Sequence, residues 1–278
     1  MRYGFLGQFP EARQIAGEIG AHGLPLWINA LANQAPEAAI APIRNAGMEV
    51  CQIGAFGYNP LSPNRDVQAQ QERLVEEAIL LVGRIGCPHV VINSGNRDVS
   101  GFLRGHADNF TDQALDEVAK ALEKPLALAE EHGAKVVIEP MIHCMVSTPE
   151  RFLSLKQRLK SEALRVNLDI CNFLTLSDMY NPIPAIERIC GDLAGHYDLV
   201  HCKDLAVTEG VHIHIDETPL GTGMMDWAAA LAFIARDLPM DGWFIYEHVK
   251  AAGDARRGAA LLRQICAGAS ITLGLTAR

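Results

Sequence analysis

Four acidic or imidazole side chains stand at the ends of four successive apolar runs in the second half of the chain. They are Glu139 in VVIEP, Asp169 in VNLDI, His201 in LVHCKD and Glu247 in WFIYEHV. Each is the first strongly polar residue after a short β-branched stretch. If these runs are neighbouring parallel strands, the four side chains converge at one end of one sheet. Two Glu, one Asp and one His offer three oxygens and one nitrogen. That set suits a hard or borderline divalent ion, Mn2+ ahead of Mg2+, Co2+ or Zn2+. No thiolate belongs to it, which argues against a structural zinc. A lone Glu at a strand end is usually solvated, and a lone His is usually a satisfied core residue. Four such residues at the same position of four consecutive strands point to a metal site.

The elements that would position them alternate regularly. Apolar runs read as strands at Tyr3–Leu6, Pro25–Asn29, Val50–Ala55, Val90–Asn93, Val136–Glu139, Val166–Asp169, Leu199–His201 and Phe244–Glu247. Most are continuous rather than alternating, as strands covered on both faces require. Helical stripes lie between them, at Asp66–Ile85 and Thr111–Glu131. Pro125 suggests a kink in the second. Thr148-Pro149 reads as an N-cap followed by proline at the first helical position. Asp226–Asp237 and Ala255–Ile265 complete the helices. Val207–Met225 reads as a long loop in which Val211, Ile213 and Ile215 form a short extended piece. Eight strands alternating with helices predict an α/β chain folded as a single (β/α)8 TIM barrel spanning residues 1–278.

Composition narrows the partners. The 278 residues carry a formal net charge of −9 and no basic run, which argues against nucleic acid as the main partner. Seven scattered cysteines with no CxxC pair read as thiols in a reducing cytoplasm. No apolar run approaches the roughly 20 residues that cross a bilayer, and MRYGFLGQF does not read as a signal peptide.

Other residues are placed to meet a substrate. His143 lies four positions beyond Glu139. Lys203 follows His201 by two, so it faces the same way if the strand continues. Its ammonium would polarise a carbonyl or hold a carboxylate, or else pair with Asp204 or a neighbouring strand. Gln8, Trp27, Asn29, Asn93 and Arg97 fall at or just past strand ends, and Trp27 could pack on a sugar ring. The PLGTG segment, Pro219 to Gly223, reads as a turn whose N–H groups could hold a phosphate. Asp226 reads as an N-cap.

VVIEP, LDICN, HCKD, PLGTGMMDW, the closing YEH, RIGCPHVVINSGN and VSTPERF resemble motifs of the xylose isomerase-like TIM-barrel superfamily. That superfamily contains sugar isomerases, ketose 3-epimerases, inosose dehydratases and AP endonucleases. The likeness implies that Glu139, Asp169, His201 and Glu247 are the metal ligands. It also implies that Glu139 and Glu247 move protons on opposite faces of a small sugar substrate. The expected activity is a metal-dependent isomerase or epimerase acting through an enediolate. The alternative is a lyase or dehydratase on the same scaffold, and a more distant one is an AP endonuclease-like phosphodiester hydrolase. A homo-oligomer is expected by resemblance alone. Two positions depart from the ketose epimerases. Asn172 replaces a His three residues after the strand-six Asp, and its amide could hold a sugar hydroxyl or carbonyl without titrating. Val207 replaces an Arg six residues after the strand-seven His. The Asp-x-x-Asn form resembles the broader sugar phosphate isomerase/epimerase group. Against the hydrolase, Asn172 removes one of the many His that hold three zinc ions. His212 and His214 fit the exposed face of a short strand.

Overall fold

A computed structural model describes residues 1–98 and 103–274, apart from the side chains of residues 32 and 33. Among the described residues, ten strands run β1 Arg2–Gly7, β2 Gly23–Trp27, β3 Glu49–Ala55, β4 His89–Asn93, β5 Lys135–Glu139, β6 Leu164–Asp169, β7 Leu199–Cys202, β8 Asp204–Thr208, β9 His214–Thr218 and β10 Trp243–Val249. The helices are α1 Ala12–Glu18, α2 Ile28–Asn33, α3 Pro36–Arg44, α4 Arg65–Ile85, α5 Asp112–His132, α6 Pro149–Leu159, α7 Leu176–Met179, α8 Pro182–Asp192, α9 Trp227–Asp237 and α10 Ala252–Gly268. Eight strands close a barrel in the order β1-β10-β7-β6-β5-β4-β3-β2, and β8 and β9 form a separate antiparallel hairpin. The fold is therefore the (β/α)8 barrel expected from the alternation of apolar runs and helical stripes.

Each expected strand is present. Their burial explains their sequences: all five residues of β4 are buried, and six of the seven in β10. Continuous β-branched runs can be buried this way only between a filled interior and a helical coat. The pairs are parallel, with Asn93 opposite Glu139 across β4 and β5, and Ile245 opposite His201 across β10 and β7.

Cα packing divides the chain into two sets. One holds residues 1–24, 46–48 and 168 onward, and carries β1, β7 to β10, α1 and α7 to α10. The other holds residues 25–45 and 49–167, and carries β3 to β5 and α2 to α6.

Three local expectations are revised. β2 ends at Trp27, because Ile28 and Asn29 already belong to α2. Pro125 does not interrupt α5; its ring lies on the buried face with Leu122 and Leu126. Of the alternating Val211, Ile213 and Ile215, only Ile215 lies in a strand, opposite Val207 in the hairpin. The caps agree with the chemistry: Thr148 accepts from the Arg151 N–H and Asp226 from the Ala229 N–H. All seven cysteines are buried thiols. Among the described residues, no helix is long and apolar enough to cross a membrane.

Candidate metal centre

Glu139, Asp169, His201 and Glu247 end or nearly end β5, β6, β7 and β10, and all four are buried. Each offers one ligand atom, and these atoms lie within 4.8 Å of one another. Active sites of (β/α)8 barrels are built at this C-terminal end of the strands. His201 Nδ1 lies 2.7 Å from Glu247 Oε2.

Lys203 joins the cluster. β7 stops at Cys202, yet the Lys203 ammonium contacts Asp169 Oδ2 and lies 2.8 Å from Glu247 Oε1. Its backbone explains the aim. The Lys203 carbonyl accepts from the Trp227 indole N–H at 3.0 Å and the Cys171 thiol at 3.4 Å. The side chain is thereby held on the barrel side. Of the two roles expected for Lys203, the ion pair is present, and its partners are two of the three converging acids.

The electrostatics follow from burial. Burial alone would push the Glu247 carboxyl up. In the metal-free protein the His201 and Lys203 charges outweigh it and hold the group well below the usual carboxylate range. With His201 neutral, as a metal ligand must be, three carboxylates and one ammonium leave a formal charge of −2. Buried charge of that size is costly without a counter-ion. Both the donor set and this excess fit a divalent cation.

The Asn167 amide donates to Glu139 Oε2. Asn167 was not singled out from the sequence. Its signal was available: it precedes Asp169 by two on β6 and so shares its face. The Asn172 backbone N–H donates to Asp169 Oδ1 at 3.2 Å, which fixes the turn after β6. His143 has a buried Nε2 with no hydrogen-bond partner among the described residues, and its carbonyl accepts from Asn109. Arg97 pairs with Glu117 at 2.9 Å. Trp27 is exposed and packs its ring against Phe56 at 5.8 Å between centroids. These contacts run to Asn109, Glu117 and Phe56. Asn29 and Gln8 are exposed.

Beside the cluster, Asp204 organises the chain that follows β7. Its Oδ2 accepts from the N–H groups of Gly221 and Gly223 at 2.9 and 3.1 Å. Its Oδ1 accepts from those of Leu205 and Met225 at 2.9 and 3.1 Å. Gly223 is required there, since a Cβ would stand 2.2 Å from Asp204 Oδ1. Burial pushes the Asp204 carboxyl up, and the four N–H donors offset only part of that. Asp204→Asn would set an NH2 against two of these donors. The expected cost is about 2–3 kcal/mol of stability, read as a lower Tm; an unchanged Tm would show that the loop holds without the carboxylate.

The hairpin also reaches β10. Glu217 Oε1 lies 2.5 Å from His248 Nδ1. That bond is the main cause holding the Glu217 carboxyl low. Burial pulls the His248 imidazole down, but Glu217 and Glu247 outweigh it and raise the group.

Comparison with known proteins agrees with the barrel fold. A family model described as xylose isomerase-like TIM barrel matches residues 14–265. Comparison with curated proteins finds no match. Among solved structures, a D-tagatose 3-epimerase-like protein superposes with a TM-score of 0.74 at 17% identity, covering 97% of this chain and 98% of that one. A xylose isomerase-like TIM barrel protein from Mycobacterium smegmatis, solved with magnesium, gives 0.71 at 14%, covering 94% and 88%. The probable 3-DHS dehydratase AsbF from Bacillus anthracis gives 0.70 at 17%, covering 95% and 99%. The chain belongs to the xylose isomerase-like TIM barrel family.

Proposed function

We propose that the protein is a divalent-metal-dependent isomerase or epimerase acting on a keto-sugar or related polyol. The observation that carries this reading is the convergence of Glu139, Asp169, His201 and Glu247 beside Lys203. The four would hold the ion, with Mn2+ preferred for three oxygens and one nitrogen. Bound there, the ion supplies positive charge that stabilises an enediolate. Glu139 and Glu247, from β5 and β10, are the proton carriers. One takes the proton from the carbon beside the carbonyl, and the other returns a proton to the opposite face or to the neighbouring carbon. Asn167 orients Glu139 for this work. Lys203 pairs with Asp169, helps hold the Glu247 carboxyl low, and is the cation nearest a developing oxyanion. His143, with its orphaned Nε2, and the Asn172 amide are the groups proposed to hold substrate hydroxyls.

Dehydration is the second reading, and the likeness to a probable 3-DHS dehydratase favours it. Loss of a β-hydroxyl follows the same first proton abstraction, with Lys203 able to protonate the leaving oxygen.

The test is proton NMR of the Mn2+-loaded protein in D2O with ketoses, keto-inositols and 3-keto-glycosides. Deuterium beside the carbonyl with an intact skeleton is expected, with loss on chelation and return on Mn2+ addition. An enone signal would move the assignment to a lyase. No exchange with any of these, despite bound metal, would overturn the enediolate reading. Activity on abasic DNA would then favour the hydrolase.

A further inference from the structure

We propose that Glu217 and His248 are specificity residues that admit an uncharged, hydroxylated part of the substrate and refuse a phosphate. The proposal rests on the keto-sugar reading above and narrows it to unphosphorylated substrates.

A pocket of about 80 Å3 opens beside the metal ligands, bordered by Lys203, Glu217, Thr218, Glu247, His248 and Lys250. It has room for several water-sized groups, as a short chain of hydroxylated carbons presents. Glu247 and His248 both line it, although successive residues of a regular strand face opposite sides. The register explains this. Phe5 pairs with Tyr246 and Gly7 with Val249, so Glu247 and His248 together oppose Leu6. That is a bulge, and His248 completes it in the left-handed region at φ 57°. An L-residue pays energy for that conformation. The result is a second polar side chain at the mouth of the site.

The charges of the pocket are spoken for. Lys203 meets Asp169 and Glu247. Lys250 Nζ is 3.9 Å from Glu217 Oε2. His248 lies between Glu217 at 2.5 Å and Glu247 Oε1 at 3.9 Å. Both lysines already face a carboxylate, and the His248 imidazole lies between two. A phosphate is usually held by cations or by a nest of backbone N–H groups. The nest at hand, in the loop of Gly221, Gly223 and Met225, is filled by the Asp204 carboxylate. The protein's own anion sits where a phosphate would. A hydroxyl, by contrast, donates to Glu217 and accepts from His248.

The experiment pairs free ketoses with the corresponding terminal phosphates, read as deuterium wash-in and kcat/KM on the Mn2+-loaded enzyme. The free sugar is expected to lead by on the order of a hundredfold, since like charges set face to face repel strongly. Glu217→Gln is expected to raise KM for the free sugar by roughly tenfold with little change in kcat or metal content. Glu217→Lys is expected to shift preference toward the phosphate. Preferred turnover of the phosphorylated sugar, or an unchanged preference in both variants, would overturn the proposal and leave the enediolate reading standing. Exchange with neither class would remove both.

Discussion

Glu247→Gln is expected to lower turnover by about 10²–10⁴-fold at saturating Mn2+, the usual worth of a positioned acid–base group. The amide keeps an oxygen for the metal and the shape of the side chain, but it cannot take a proton. Metal content, measured on the same sample, separates loss of the base from loss of the ion. Glu139→Gln should cost a similar factor, and the pair carries a sharper signature. In a two-base epimerase each carboxylate serves one face of the substrate. One variant should therefore still exchange the proton of one epimer with D2O while failing to convert it, and the other variant should do so for the opposite epimer. Full turnover in either variant would take that Glu out of proton transfer. Equal loss of exchange for both epimers in both variants would show that the carboxylates act only through the metal.

Lys203→Met should do two opposite things. The ammonium now offsets one of three buried carboxylates. Breaking a buried pair from one side costs about 3–5 kcal/mol, so the metal-free variant should melt well below the parent. At roughly 2–4 °C per kcal/mol for a chain approaching this size, the drop is on the order of 10 °C. The same substitution removes a positive charge that would repel a dication. Two unit charges about 4 Å apart interact by about 4 kcal/mol at an effective dielectric of 20. Mn2+ affinity should therefore rise by more than tenfold. Most of the lost stability should return when the metal saturates. Turnover should still fall, because the cation proposed to face the developing oxyanion is gone. A variant that binds Mn2+ more weakly than the parent would show that Lys203 organises the ligands. Isothermal titration and thermal melts with and without Mn2+ decide between these outcomes.

Much of the site was legible in the sequence because strand ends are easy to find. Glu139, Asp169, His201 and Glu247 each close an apolar run, and parallel strands bring their C-terminal ends to one rim. Asn167 was legible in principle, from its two-residue spacing to Asp169, but an Asn inside an apolar run carries no charge to draw notice. Lys203 was legible as a candidate, although its two roles could not be separated. The ion pairs depend on where β6, β7 and β10 lie, and that is a tertiary fact. Trp27 and Arg97 show the same limit. Position at a strand end suggests a substrate role, and the packing on Phe56 and pairing with Glu117 are set by neighbours distant in sequence. The helices α1, α2, α3, α7 and α8 are not announced by the sequence, because short segments between strong strands have few periodic positions to count.

By itself, the sequence determined the closed α/β barrel and its four converging acidic and imidazole side chains, because strand burial and alternation with helices depend on local pattern. Only the tertiary structure decided what surrounds those four groups. The Asp204 carboxylate fills the amide nest of the 219–225 loop, and β10 bulges to turn His248 toward Glu217. Both rest on contacts between segments far apart in the chain, so no local pattern could announce them.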